Sequence, residues 1–254
     1  VNLAKKYGHV VDVFICHNSV IYDKLRLLFP DRLNDIFYLP HGVKVPATFR
    51  KPKEQNRPLQ LLFLGRMATS KGVFDLPVIS RHLRSLGVSF EWTCIGGGPE
   101  LNKLKECWDP SDPVTFLTPA TNEEVLSVCA DKDVFVLPTK FEGSPVSLLE
   151  TMSTGLVPVI TDLPGGITDI VSSDIGYRIA IDDNESFARA IHALYSDPAR
   201  LNRLSMHCRQ KIVNEFNIVD TASKYHALFL RYKDFYREKE KQKKKVGARL
   251  DHPL

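Results

Sequence analysis

Between Leu59 and Ile179 the chain switches repeatedly between two periodicities. Short, continuous apolar runs stand at 59–64, 88–95, 114–117, 134–137, 156–160 and 176–179. Segments with apolar residues at helical spacing lie between them, at 73–86, 122–130 and 146–154 among others. A short apolar run without alternation marks a strand buried on both faces. Such strands, alternating with helices through short connections, predict an α/β fold. The expected architecture is a Rossmann-like parallel sheet with helices on both faces. Further helices are expected at 184–195, 199–215 and from Val219 onward. In sheets of this kind ligands bind outside the carboxyl ends of the strands, so each loop that follows a strand is a candidate site.

The loop after the fourth run is the most informative. It reads Phe141-Glu142-Gly143-Ser144-Pro145-Val146-Ser147-Leu148-Leu149-Glu150. Ser144 is placed as an N-cap and Pro145 as the first helical residue. The first-turn amides of Val146 and Ser147 then lack helical partners, which makes the turn an anion site. Glu150 would lie about a turn and a half inside the helix, among Val146, Leu148 and Leu149. A carboxylate in that setting needs a partner, and sugar or ribose hydroxyls are good donors to it. Glu142, before the turn, is placed to accept from a second set of hydroxyls. Either acid alone reads as an ordinary solvated glutamate. The pair around a free amide nest does not.

Two other loops follow strands. Gly65-Arg66-Met67-Ala68-Thr69-Ser70-Lys71-Gly72 offers a guanidinium fork and an ammonium bracketed by glycines, a pairing suited to a diphosphate. Two solvated cations would read the same. The triplet Gly96-Gly97-Gly98, followed by Pro99, lacks the G-x-G-x-x-G spacing of a dinucleotide fold. It argues against a nicotinamide cofactor and lets a ligand approach the backbone. Asp131-Lys132-Asp133 has the form of a metal motif but precedes a strand, on the far side from the expected crevice, so no metal site is predicted. Asp182 and Asp183 read as capping acids before Asn184. His17 and His41 each sit in a turn after a strand. No nucleophile elbow, His-Glu-x-x-His or Walker A pattern occurs.

On the amino side, 10–16 and 35–39 read as strands around a helix at 20–29, and Asn18 belongs to the turn that caps it. Residues 44–58 carry Pro46, Pro52 and Pro58 with charges and no apolar period, a linker by composition. The 254 residues suffice for one large or two small cores. The five cysteines are scattered, which predicts free buried thiols in a reducing compartment rather than a disulfide framework or a zinc site. No apolar run approaches the roughly 20 residues needed to span a bilayer. Residues 1–8 do not read as a signal peptide, and valine rather than methionine stands first, which predicts a segment of a longer protein. The net charge of +4 is carried by residues 237–245, Arg-Glu-Lys-Glu-Lys-Gln-Lys-Lys-Lys. Such a tail is a solvated helix end or a contact for anionic lipid. There is no zinc finger, no RNP motif and no basic face interleaved with aromatics, so nucleic acid is not an expected partner.

Taken together, Gly65-Arg66 with Lys71-Gly72, the 96–99 turn, the Glu142–Glu150 motif, Gly155 to Ile160 and Gly165-Gly166 resemble the carboxyl-terminal, donor-binding domain of retaining glycosyltransferases of family 4, which have the GT-B fold. Leu39-Pro40-His41-Gly42-Val43 resembles the interdomain turn of that family, and 217–232 its closing helix. The resemblance implies four regions: 1–43, the end of an amino-terminal acceptor domain; 44–58, a linker; 59–218, the nucleotide-sugar domain; and 219–254, a closing helix with a basic tail. It implies that Arg66 and Lys71 bind the donor diphosphate, that Glu142 and the amides of Gly143, Ser144, Pro145–Val146 and Ser147 hold sugar and phosphate, and that Glu150 holds the ribose. Gly65, Gly97, Gly98 and Thr118 would complete the donor site. The donor would be a UDP-, GDP- or ADP-sugar with no cofactor or metal, and the acceptor a saccharide or lipid-linked saccharide held by an amino-terminal domain that this chain lacks. The setting implied is cytoplasmic, at the inner membrane surface, with peripheral membrane contact. Isolated, the chain is expected to bind donor and transfer poorly. The sequence departs from the family pattern at His41, where asparagine is common, at Lys44, where aspartate is frequent, and at Thr118, where glycine is usual near the base. A non-catalytic nucleotide-sugar binding module is the alternative of a different class.

Overall fold

A computed structural model describes residues 2–47, 49–50, 52, 57–118 and 121–250; in the last helix, side chains are described through Lys233 and at Arg237. The amino-terminal part comprises α1 (Asn2–Tyr7), β1 (Phe14–Cys16), α2 (Ser19–Leu28) and β2 (Ile36–Tyr38). β1 and β2 pair in parallel as a separate two-stranded sheet. The remainder runs β3 (Leu59–Leu64), α3 (Asp75–Ser85), β4 (Phe90–Ile95), α4 (Leu101–Cys107), β5 (Val114–Leu117), α5 (Asn122–Cys129), β6 (Val134–Leu137), α6 (Val146–Ser153), β7 (Val157–Thr161), α7 (Gly166–Ile170), β8 (Tyr177–Ile179), α8 (Asn184–Ser196), α9 (Pro198–Glu215) and α10 (Ile218–Leu250).

The six later strands form one parallel sheet in the order β5-β4-β3-β6-β7-β8. The chain builds outward from β3 in one direction, then crosses to β6 and builds in the other. Helices on both sides explain why the strands read as unbroken apolar runs: Leu59, Leu61, Leu62 and Phe63 of β3 and all of Val134–Val136 are fully buried. The α/β expectation therefore holds, and the six strands predicted between 59 and 179 are the six observed. The first predicted strand shrinks from 10–16 to three residues, because Gly8–Val10 folds instead as a 3-10 turn. Four cysteines are buried, and Cys107 at the end of α4 is exposed, contrary to a set of buried thiols; all five are free.

The predicted linker falls partly outside the described residues, at 48, 51 and 53–56. Its described residues do not behave as a solvated connection. Arg50 is only 2% exposed and its Nε donates to Asp133 at 3.1 Å; Arg57 donates to both oxygens of Asp133, at 2.7 and 2.9 Å. Gln60 N adds a backbone bond at 3.0 Å, and Asn202 accepts from the Arg50 guanidinium at 3.0 and 3.1 Å. Proline and charge hid an ordered crossing, because the residue that holds it is a buried carboxylate 76 positions after Arg57. Asp133 is thus committed to arginine at the amino end of β6. Burial works against the charge on Arg50, and Asp133 supports it.

Removing one member of such a buried set strands the others without a partner. Asp133→Ala is expected to destabilise the fold by about 3–5 kcal/mol in urea unfolding. An Arg50→Met, Asp133→Leu double variant is expected to recover part of that loss, because the buried Arg50 guanidinium is then not left without its carboxylate, while Arg57 can reach water.

Candidate functional site

The crevice lies where the strand order reverses, between the carboxyl ends of β3 and β6. Gly72, in the left-handed region at φ 67°, closes the loop after β3; a Cβ there would stand 1.8 Å from the Pro138 carbonyl oxygen. The contact therefore requires glycine. Next to it, Thr139 Oγ1 and Lys140 N both donate to the Ser70 carbonyl, at 3.1 and 2.9 Å. The loop of Lys71 and the loop of Glu142 are in this way sewn together by backbone.

On the other side, the triple glycine packs against the loop of Arg66. Met67 N donates to the Gly97 carbonyl at 2.9 Å, and Glu100 N donates back to the Met67 carbonyl at 3.0 Å. Gly96 stands at φ 132°, and a Cβ on it would fall 2.1 Å from the Gly65 carbonyl oxygen. A Cβ on Gly98 would meet the Met67 carbonyl oxygen at 2.4 Å, so this glycine serves protein packing rather than ligand approach. Gly97 alone of the three faces open space. Thr118 is exposed just past β5.

The charged groups converge on the seam. Lys71 Nζ pairs with the Glu142 carboxylate, and both side chains are largely buried. The second Glu142 oxygen accepts from Gly143 N at 3.2 Å. Arg66 stands exposed at the rim. Helix α6 begins one residue later than the sequence predicts: Pro145 is the cap, with extended backbone at φ −73° and ψ 105°, and Val146 is the first helical residue. Ser144 is not the N-cap, because the extended proline carries the chain past it and no side chain caps the helix. Among the described residues, the N–H groups of Val146 and Ser147 have no acceptor. The turn is fixed from behind, where the Gly143 carbonyl accepts from Gly166 N at 3.0 Å and from Asn18 Nδ2 at 3.3 Å.

Glu150 is partly buried inside α6. Burial pushes its carboxyl above the usual range, and a 2.6 Å hydrogen bond from Asn122 Nδ2 opposes that shift. Asn122 is the first residue of α5, placed by the capping box of Thr121 and Glu124. It was not among the sequence candidates; its position just past the loop after β5 was the available signal.

The amino-terminal part forms the facing wall. Asp169 of α7 accepts from Ser19 N at 2.8 Å, from Ser19 Oγ and from the Tyr38 hydroxyl at 3.3 Å. Burial and the Asp169 carboxylate push the Tyr38 hydroxyl up to about 12. His17 and His41 stack with ring centroids 3.9 Å apart and planes 21° apart, and His17 Nδ1 donates to the Leu39 carbonyl at 2.9 Å. Burial, and then the His17 ring, hold His41 below its ordinary value. Asp169 was also missed; the short helix opened by Gly165-Gly166 was the signal. Asp183 caps α8 by accepting from Ser186 N at 3.0 Å, as expected, whereas Asp182 takes a positive φ of 62° and pairs with Lys140.

An arrangement of cations, free amides and hydroxyl acceptors around one crevice can hold a phosphorylated, polyhydroxylated ligand. The comparisons with known proteins bear on which kind. Over 138 residues the chain is 33% identical to the UDP-Gal:alpha-D-GlcNAc-diphosphoundecaprenol alpha-1,3-galactosyltransferase of Escherichia coli, a match covering 54% of this chain and 35% of that protein. It is 28% identical over 172 residues to the amylovoran biosynthesis glycosyltransferase AmsK of Erwinia amylovora, covering 64% of this chain and 42% of the relative. The chain thus spans about half or less of the length of these relatives. Among solved structures, the pneumococcal O-GlcNAc transferase GtfA in complex with UDP and GlcNAc superposes with a TM-score of 0.73 at 18% identity, over 89% of this chain and 46% of that one. That likeness establishes the GT-B type of fold. Residues 45–211 match the family described as Glycosyl transferases group 1. This match takes in the six-stranded sheet and the crevice loops that follow its strands, and on it the chain belongs to the group 1 glycosyl transferases.

Proposed function

We propose that this chain is the donor-binding half of a retaining, family 4 glycosyltransferase that moves a sugar from a nucleoside diphosphate sugar to a saccharide or lipid-linked acceptor in polysaccharide synthesis. The observation that carries the reading is the convergence, at the strand-order reversal, of Lys71, Glu142, Arg66, the open amides of α6 and Glu150. The diphosphate would lie against the Val146 and Ser147 amides, with Arg66 and Lys71 neutralising it. The start of a helix carries partial positive charge and needs no reorganisation to receive an anion. As the sugar–phosphate bond breaks, the charge that accumulates on the leaving diphosphate is stabilised by the same groups. Glu142 would exchange Lys71 for sugar hydroxyls, and Glu150 would accept from the ribose. The acceptor would be held by a further amino-terminal domain against the wall formed by residues 17–19 and 38–41. The relatives named for polysaccharide products and a lipid-linked substrate favour this setting.

Isothermal calorimetry with UDP, GDP and ADP tests the reading. One of the three is expected to bind. Arg66→Ala is expected to weaken it at least roughly tenfold, the scale of a lost charge-assisted hydrogen bond, and Glu150→Ala by a similar factor. No binding by any nucleotide, or wild-type affinity in both variants, overturns the proposal.

Glu150 also carries a stability signature. Its folded-state carboxyl titrates above its ordinary value, so the folded state holds that proton more tightly than the unfolded one. Stability from this group is therefore present below its ordinary value and is lost as pH rises through the raised folded value. Glu150→Gln is expected to flatten that part of the stability profile, to stabilise the fold slightly at neutral pH, and to lose nucleotide affinity. A Gln variant less stable than the parent at neutral pH refutes this account of the residue.

A further inference from the structure

Helix α10 carries two stripes with different surroundings. Thr221, Tyr225, Leu228 and Tyr232, spaced by three and four residues, face the protein. Tyr232 donates to Asp35 at 2.9 Å and meets the Phe37 ring edge-on at 6.3 Å, which lays the helix against the amino-terminal part. The second stripe, Ile218, Val219, Ala222, His226, Phe229 and Leu230, also recurs at helical spacing, yet every member is exposed. Val219 is 67% and Phe229 60% exposed. The first turns border a shallow hollow of about 460 Å³ lined by Ile218, Val219, Ala222, Ser223 and His226. Exposed Lys233 and Arg237 continue the same helical register.

Beyond them the helix runs on to Leu250. From Lys233 to Arg249 the sequence has eight basic and three acidic residues, a net charge of +5, against +4 for the whole chain. An apolar stripe that passes directly into a cationic segment of one helix is complementary to a surface that is apolar below and anionic above. Among the described residues no helix is long and apolar enough to cross a membrane, so the contact is one of lying on the surface. A protein partner with an acidic groove would match the charge, but eight basic residues spread over the seventeen positions 233–249 suit a diffuse charge sheet better than a pocket.

We infer that α10 is a membrane-docking helix that sets Val219, Phe229 and Leu230 into the interface of an anionic bilayer while its lysine-rich end holds the lipid headgroups. This contact does not depend on what the crevice binds. Because the other face of α10 grips the amino-terminal wall, docking would bring that wall, and hence the acceptor side of the crevice, close to the lipid.

Co-sedimentation of the full chain with vesicles tests this without any donor. Vesicles of phosphatidylcholine with about one-third phosphatidylglycerol carry the necessary surface charge. Binding is expected to these and not to pure phosphatidylcholine, and to fall as salt screens the charge. Lys243→Glu, Lys244→Glu, Lys245→Glu together should lower the partition coefficient by well over tenfold, since each lysine near such a surface is worth roughly fivefold. Phe229→Ser with Leu230→Ser should lower it even in low salt, while the urea midpoint of the fold stays put. Absence of binding, equal binding to neutral vesicles, or binding indifferent to both sets of substitutions overturns the inference. Dimerisation that disappears with Phe229→Ser, without vesicle binding, overturns it in favour of a second copy as the occupant.

Discussion

The pairing of β3 with β6 is the contact on which the rest of this molecule depends. Only two residue pairs, Leu61 with Val134 and Leu62 with Phe135, make the register. Yet it joins the two halves of the sheet and creates the one place where neighbouring strands send their loops apart. Both ends of the seam are clamped. At the amino end, Asp133 collects Arg50, Arg57 and Gln60 N, so the crossing segment and both strands share one carboxylate. At the carboxyl end, Gly72 lies against the Pro138 carbonyl and Ser70 accepts from Thr139 and Lys140. The buried charge cluster costs desolvation. What it supplies is a single register, because a slip of one residue would draw Asp133 away from its arginines.

Much of the sheet was legible because its strands are buried on both faces, and burial on both faces writes an uninterrupted apolar run. Leu59–Leu64, Val114–Leu117 and Val134–Leu137 have the same limits in sequence and in structure. Strand order was not written in any one segment. It follows from which edges meet, which is a property of the whole. The crevice loops were legible for the same reason as the strands: each is a polar interruption immediately after an apolar run. Ser144 was read as a cap because serine before proline is a strong local signal. The local signal lost to the extended backbone of Pro145, which is set by the packing of the turn against Gly166.

The residues that were missed share one feature. Asn122 serves Glu150, and Asp169 serves Ser19 and Tyr38; each acts on a partner far away in the chain. The Gly165-Gly166 turn marks the short helix of Asp169, but nothing in that turn says that the acid serves Ser19 and Tyr38 rather than solvent. The linker shows the converse. Its prolines and charges are local facts, and Arg50 is ordered by a carboxylate that no local pattern could connect to it. His17 and His41 fall between these cases: their positions after strands were visible, but not that their rings stack.

The pair formed by Lys71 and Glu142 explains how so much charge is held at one seam. An ammonium and a carboxylate both turned toward the crevice would each need a partner, and each is the other's. The pair sits on two loops already joined by backbone, so its geometry costs little to keep. In the proposed reaction a donor would exchange this one contact for two. Phosphate would replace the carboxylate at Lys71, and sugar hydroxyls would replace the ammonium at Glu142. Lys71 would keep an anionic partner in that exchange, and Glu142 would trade a cationic donor for neutral ones. Selectivity then lies in the requirement that both replacements come from one molecule. A free phosphate would satisfy Lys71 and leave Glu142 with the Gly143 N–H alone, and a neutral sugar would leave Lys71 without an anion. Only a ligand joining a phosphate to a polyol at the right spacing repays both losses. Because the Gly143 carbonyl is anchored from behind by Gly166 and Asn18, that spacing is set by the fold rather than by the ligand.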